Sequence, residues 1–265
     1  LPGGTNFDET FYEFLPKAAI AYDVTPNVRV GALVSRGANP GGVLEVLGLG
    51  VFEYKEESLW NFEVFSRASF WEDRVQLSTN AFHTRVKDYQ IFTNALAPGF
   101  EFLGPQGKIE NADKVVTYGL DLTADAQVTD DLIVNASLGL LKTEIKEFTA
   151  TTDPIVGNSL PRAPGITFSI GAQYDVIEDL TIGGDLRYVS SYYGSATNTP
   201  SVEAGSYVVV DLNAAYDVND YFQIFGSVNN LLNTDYTVQQ FGTGAARRVG
   251  FGDPFEFTVG GELRF

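Results

Sequence analysis

Phe255-Glu256-Phe257-Thr258-Val259-Gly260-Gly261-Glu262-Leu263-Arg264-Phe265 is the stretch whose reading decides the fold. Every second residue back from the end, Phe265, Leu263, Gly261, Val259, Phe257 and Phe255, is apolar or tiny. The interleaved set, Arg264, Glu262, Gly260, Thr258 and Glu256, is polar or small. A period of two belongs to a strand with one greasy and one wet face. The series stops on an aromatic residue. A soluble sandwich and a membrane barrel both hold such strands, so the rest of the chain decides which solvent the greasy face meets.

Alternating segments run from Phe14 to Asp23, Val28 to Arg36, Leu59 to Phe70, Arg74 to Phe92, Lys114 to Gln127, Leu132 to Glu147, Gly165 to Val176, Leu180 to Tyr193, Ser206 to Asp217, Tyr221 to Leu231 and Phe255 to Phe265, eleven strands in all. Within pairs the turns are short and rich in Asp, Asn or Pro, as hairpins require: Val24-Thr25-Pro26-Asn27, Trp71-Glu72-Asp73, Thr129-Asp130-Asp131, Ile177-Glu178-Asp179 and Val218-Asn219-Asp220. Between pairs the connections are long: Gly37 to Ser58, Thr93 to Asp113, Phe148 to Pro164, Gly194 to Gly205 and Leu232 to Pro254. A soluble sandwich has no reason to alternate short turns strictly with long loops. A transmembrane barrel does, with short periplasmic turns and longer extracellular loops.

Composition narrows the choice further. The chain has 20 Phe, 13 Tyr and 27 Gly, with 19% charged residues, a mixture suited to an all-β protein with many turns. No apolar run reaches the roughly 20 residues of a membrane helix. The mean hydropathy of −0.02 is silent on barrels, whose alternating signal averages out. A formal charge of −17 argues against nucleic acid as a partner. With 0 Cys there is no disulfide framework, thiol nucleophile or thiolate metal site.

A barrel reading gives each side chain a surrounding. Trp60, Tyr118, Tyr174, Tyr188 and Tyr216 lie near strand ends on the apolar side, where interfacial girdles belong. Asp185, Arg187, Asp211, Glu256, Glu262 and Arg264 fall on the polar side, either lining a transport path or forming a solvated interior of paired charges. With Phe265 at the periplasmic edge, all the long loops face outward. An odd strand count does not close a bacterial barrel, so further strands are expected upstream of Leu1.

Several segments resemble the TonB-dependent outer-membrane receptors, specifically the C-terminal half of their barrel. Phe14-Leu15-Pro16-Lys17 with Ala21-Tyr22-Asp23 resembles the family's opening hairpin, and Ser35-Arg36-Gly37 through Asn39-Pro40-Gly41-Gly42 the rim segment after it. Glu57-Ser58-Leu59-Trp60-Asn61-Phe62-Glu63, Asn80-Ala81-Phe82 through Lys87-Asp88-Tyr89-Gln90-Ile91, and Asn111-Ala112-Asp113 through Tyr118-Gly119-Leu120-Asp121-Leu122 are similar to three further motifs in the same order. Asn229-Asn230-Leu231-Leu232-Asn233-Thr234-Asp235-Tyr236 resembles a sixth, departing at Leu232 and Asn233. The resemblance implies a plugged barrel of about 22 strands. The plug, the N-terminal strands and the box that contacts the inner-membrane energy-transducing complex would lie upstream. It also implies uptake of a scarce ligand, most commonly a ferric siderophore, with no catalysed chemistry and no cofactor. The other partners are outer-membrane lipid and the assembly machinery.

Four kinds of site follow. Thr258, Gly260, Leu263 and Phe265 fit polar-x-Gly-x-x-hydrophobic-x-aromatic, resembling the C-terminal assembly signal of outer-membrane barrels. Tyr192, Tyr193, Tyr236, Phe241, Arg247 and Arg248 sit on or beside the extracellular loops, where aromatics and Arg are typical recognition anchors. The Arg247-Arg248 pair, unusual in so acidic a chain, is the first choice for an anionic chelate. His83, the 1 histidine, admits an outer-membrane hydrolase reading, but no local Ser or acid motif joins it and a rim position is expected. A passive porin is the remaining alternative. Histidine clusters for metal are excluded by count, and no spaced carboxylate motif marks a hard-cation site.

Overall fold

Each short turn closes a hairpin between neighbouring strands, so the chain builds one meandering sheet. The computed structural model describes residues 8–46, 49–95, 106–149, 155–241 and 247–265. Its main sheet is antiparallel and has 11 strands: β1 (Lys17–Thr25), β2 (Val28–Asn39), β5 (Glu57–Phe70), β6 (Val75–Ala95), β7 (Gln106–Gln127), β8 (Leu132–Glu147), β9 (Ile166–Ile177), β10 (Leu180–Val189), β13 (Tyr207–Asn219), β14 (Phe222–Asn229) and β17 (Glu256–Leu263), adjacent in that order. Three two-stranded hairpins decorate the long connections: β3 (Gly42–Val46) with β4 (Gly50–Tyr54), β11 (Tyr192–Tyr193) with β12 (Glu203–Ala204), and β15 (Thr237–Phe241) with β16 (Arg248–Phe251).

All eleven strands read from alternation are present, with corrected ends. Phe14 to Pro16 precede β1, and Asn230 and Leu231 leave β14. Tyr192 and Tyr193 do not continue β10 but pair with Ala204 and Glu203. Within the supposed loop Thr93 to Asp113 the described residues, 93–95 and 106–113, are strand, because β6 and β7 run far beyond the rest of the sheet. Their alternation inverts at Asp88, whose φ of 53° is left-handed. Above it Tyr89 and Ile91 turn toward the packed interior, a change of phase that a period of two cannot show.

Register collects the side chains onto two unlike faces. One row reads Val64, Ala81, Leu120, Leu140, Ile166 across five strands, and another reads Ala136, Ile170, Leu186, Val210. Trp60, Tyr118, Tyr174, Tyr188 and Tyr216 all lie on this apolar face. The opposite face carries Asn135, Gly171, Asp185 and Asp211 in one row, with Arg187, Glu256 and Glu262 on the same side. Arg264, one step past Leu263, shares it and bonds Asp217. In a sandwich the apolar face would be covered by a second sheet. Here mid-sheet Ile170, Ile182 and Leu212 stay 41%, 43% and 43% exposed to anything outside the protein. The greasy face therefore meets lipid, and the polar face lines the lumen.

The last strand explains part of its own motif. Gly260 lies opposite Phe225, and a Cβ there would come within 2.3 Å of that ring, so the phenyl occupies the space a side chain would need. Thr258 pairs with Ser227 on the lumenal face and Leu263 with Phe222 on the lipid face. Phe265 lies beyond the ladder and is fully exposed. Among the described residues β1 and β17 each pair on one edge only.

The protein's own core sits at the loop end, not along the barrel wall. Val86, Ile91, Ala112, Val115, Ile145, Ile155 and Ala196 form one buried cluster, with Leu59, Tyr89, Phe148 and Leu160 packed against it. Leu59, Val86, Val115 and Ile145 face inward at neighbouring register positions, so this apolar patch draws the connections after β8 and β10 over the lumen.

Candidate functional site

The outer rim is tied together by polar side chains that reach backbone groups. Buried Glu57 accepts a hydrogen bond from Asn39 Nδ2 at 3.1 Å through Oε1 and one from the Gln90 N–H at 2.8 Å through Oε2. Gln90 Nε2 donates to the carbonyls of Pro40 (2.8 Å) and Lys55 (3.1 Å). Asn111 donates to Lys55 O (2.9 Å) and Asp88 O (2.7 Å), and its Oδ1 accepts from Lys55 N–H. Lower on the same two strands, Thr84 donates to Asn61 Oδ1 at 2.7 Å and Asn61 bonds Glu63. These residues hold the loop after β4 against the Asp88 bend. Glu57→Ala strands a donor at a buried carboxylate site, so we expect a cost of about 2–3 kcal/mol, read by urea unfolding of the receptor in vesicles. Glu57→Gln, which keeps one acceptor, should cost less; equal costs would mean the carboxylate bonds are not what holds the loop.

The connections after β8 and β10 are joined to each other. Ser159 N–H donates to Asn198 Oδ1 (2.8 Å), Asn198 Nδ2 to Ser159 O (2.9 Å), and Asn158 Nδ2 to Ala196 O (2.9 Å). Leu160 N–H reaches Thr143 Oγ1 at 2.8 Å, anchoring the segment to β8.

The neighbouring rim carries Tyr192, Tyr193, Tyr236, Arg247 and Arg248. Tyr192 donates to Val238 O at 2.8 Å, which joins the β10–β13 connection to β15. Burial pushes its hydroxyl pKa up, with Tyr207 adding and Arg162 opposing, so the phenol stays a donor. Tyr236 stacks on Tyr207 with ring centroids 4.5 Å apart. That stack needs Gly252, where a Cβ would fall 1.9 Å from the Tyr236 ring. Tyr193, half-buried, accepts from Arg162 N–H at 2.8 Å through its carbonyl. Arg247 donates to Oε1 of buried Gln240 at 2.7 Å, and exposed Arg248 lies across from Phe241 in the β15–β16 ladder. The Phe241 side chain lies outside the described residues. Neither Arg247 nor Arg248 forms an ion pair among the described residues.

Two features escaped the sequence reading. Asn230, left-handed at φ 48° and buried, donates to Thr234 O and Asp253 O (both 3.0 Å) and accepts from Thr234 N–H at 2.8 Å. Its own N–H donates to Asp211 Oδ1 at 2.7 Å, so a lumenal carboxylate fixes the start of the last outer loop. Gln240 is the other. Alternation places Asn230 near the end of the strand Tyr221 to Leu231, and nothing in the stretch from Asn229 to Asn233 tells which Asn is buried.

The cluster is an open surface. The cavity beside it, lined by Thr143, Ser159, Leu160, Tyr192, Tyr193 and Glu203, holds about 250 Å³, below the usual range for enclosing a small-molecule ligand. His83 lies away from it on the lipid face, accepting from Arg85 Nε at 3.1 Å beside Tyr118, with its ring centroid 6.3 Å from the tyrosine's. Among the described residues no group of three or more His, Asp or Glu is placed to hold a metal ion.

An outer-membrane β-barrel wall with long, structured outer loops is thus the class that fold and rim define. The chain belongs to the TonB-dependent receptor family: residues 1–231 match the model described as TonB dependent receptor-like, beta-barrel. It is 22% identical over 240 residues to the probable TonB-dependent siderophore receptor PiuA of Acinetobacter baumannii, covering 85% of this chain and 31% of that one. It is 23% identical over 235 residues to the metal-pseudopaline receptor CntO of Pseudomonas aeruginosa, covering 88% and 31%. Among solved structures, the ferric yersiniabactin uptake receptor FyuA of Yersinia pestis superposes with a TM-score of 0.78 at 19% identity, over 95% of this chain and 37% of that one. The chain therefore spans about a third of the length of these relatives. The family is one of transport receptors in the outer membrane of Gram-negative bacteria.

Proposed function

We propose that this chain is the C-terminal half of the barrel of a receptor that imports a metal chelate, in the first place a ferric siderophore, across the outer membrane. The observation that carries the reading is the rim cluster of Tyr192, Tyr193, Tyr207, Tyr236, Arg247 and Arg248 set above a polar lumenal face in a chain of this family. Aromatic faces, and guanidinium groups with no ion pair among the described residues, suit a flat, anionic chelate. PiuA, CntO and FyuA are described as receptors for siderophores or metal chelates, which supports the same ligand class. The unpaired edges of β1 and β17 call for the other half of a barrel of about 22 strands, with a plug inside it and energy supplied through the plug by the TonB complex. No chemistry is catalysed in this reading.

The test uses the full-length receptor titrated with ferric siderophores. Arg248→Ala should weaken binding by about 1.5–3 kcal/mol, the range for a hydrogen bond to a charged group, with the fold unchanged. An unaltered affinity would remove Arg248 from the site. Uptake that continues after the inner membrane is de-energised would favour the porin reading.

A further inference from the structure

Phenols and guanidinium groups form a column that descends from the rim into the lumen. Tyr192 bonds Val238 O at 2.8 Å, and Tyr236 of the same outer segment stacks on Tyr207 at the start of β13. Tyr207 pairs with Val189 and Arg187 with Val209, so Arg187 and Tyr207 are diagonal neighbours on the lumenal face of β10 and β13. Val189 and Val209 are buried whereas Arg187 is exposed, so the cover over this face ends at Arg187. Arg162 stands at the top of the column. Its backbone is left-handed at φ 56°, an uncommon state for a residue with a side chain, and its N–H is held by Tyr193 O at 2.8 Å. Its charge reaches the Tyr192 hydroxyl and opposes the rise in that pKa.

The sign of the charge then changes with depth. Among the described residues neither Arg162 nor Arg187 forms an ion pair. Glu203 pairs with Tyr193, on the other side of that short ladder from Tyr192. Next on the lumenal face, toward the inner turns, Asp185 and Asp211 stand directly opposite each other, with Glu256 on the same face. Carboxylates so placed repel each other and any anion that approaches them. A negatively charged ligand is therefore favoured down to Arg187 and opposed below it. A neutral ligand meets no such step.

We propose that Arg162, Arg187 and Tyr207 form an inner station that holds the ligand by its negative charge and makes the receptor select anionic chelates over neutral ones, a role that rests on the chelate-import reading. The two guanidinium groups fork onto the anionic oxygens of the chelate, and the Tyr207–Tyr236 pair presents ring surface beside them. Asp185 and Asp211 form the floor on which an anion stops.

The experiment titrates the full-length receptor with two ferric chelates, a trianionic tris-catecholate and a neutral tris-hydroxamate, and reads affinity from quenching of its intrinsic fluorescence. Wild type should bind the trianion at least about tenfold more tightly. Arg187→Gln should lose about tenfold for the trianion and leave the hydroxamate unchanged. Asp185→Asn should gain about threefold for the trianion alone, a change of sign that damage to the fold does not produce. Equal or tighter binding of the neutral chelate by wild type, which needs no variant to fold, would overturn the station while leaving a chelate receptor. Binding of neither chelate would remove both readings. Equal losses for the two chelates in Arg187→Gln would also overturn the station, since Arg187 would then support the fold and not read charge.

Discussion

Ile170→Arg is expected to destabilise the receptor in bilayers by about 2–4 kcal/mol, because it places a cation near the middle of the lipid-facing wall. Ile170 lies in the row of Ala136, Leu186 and Val210, several residues from either end of β9. The next residue, Ser169, points the other way and bonds Ser137 at 2.7 Å on the lumenal face. Ser169→Arg should lose that hydroxyl pair and little else, a cost of about 1 kcal/mol. Leu263→Arg is a graded control: Leu263 faces lipid but pairs with Phe222 at the inner turn, so its cost should fall to about 0–1 kcal/mol. Urea unfolding in vesicles reads all three. Equal costs for Ile170→Arg and Ser169→Arg would mean that the two faces do not meet different solvents.

Asn230→Ala should be the most damaging change at the rim. The amide makes three hydrogen bonds at a buried position, and the backbone there is left-handed, which Ala adopts only at a penalty. Losing those bonds at about 1 kcal/mol each, with roughly 1 kcal/mol of backbone cost, gives about 3–4 kcal/mol. The loss falls on the last outer loop, since Asn230 joins Asp211 at its start to Asp253 near its end. Protease cleavage between 231 and 254 should therefore rise while the strands stay protected. Asn230→Gly, which tolerates the backbone but not the hydrogen bonds, should recover only the smaller part. A loop as resistant as wild type in Asn230→Ala would show that the turn is held by other contacts.

The barrel wall was legible because its two requirements, alternation and short turns on one side, are local. Residues such as Ile166 to Val176 declare a strand without reference to any neighbour. The loops were not legible in the same way. The β3–β4 and β15–β16 hairpins form over the rim, and Tyr192 looked like an extension of β10 because its partners, Ala204 and Val238, are distant in sequence. The inversion at Asp88 depends on one left-handed residue in a bend that Gln90 ties to Pro40 and that Asn111 of β7 holds through the Asp88 carbonyl. Glu57, Gln90, Asn111 and Asn230 all stood inside segments that resembled the family, yet only the structure shows that each one satisfies backbone groups at the rim. Tyr192, Tyr193, Tyr236, Arg247 and Arg248 come from separate segments, and only their contacts with Val238, Arg162, Tyr207, Gln240 and the β15–β16 ladder place them on the rim.

The central claim is that this sheet stands in the outer membrane with its even-numbered β9 residues in lipid and its odd-numbered ones in a wet lumen. The chain has 0 Cys, so single-cysteine spin labels along Ile166–Ile177 can be placed without disturbing native thiols in it. Accessibility to oxygen and to a water-soluble nickel chelate should alternate with a period of two and in opposite phase, oxygen highest at Ile166, Phe168, Ile170, Ala172 and Tyr174. Nickel access that is high at every position, or that shows no alternation, would contradict the account.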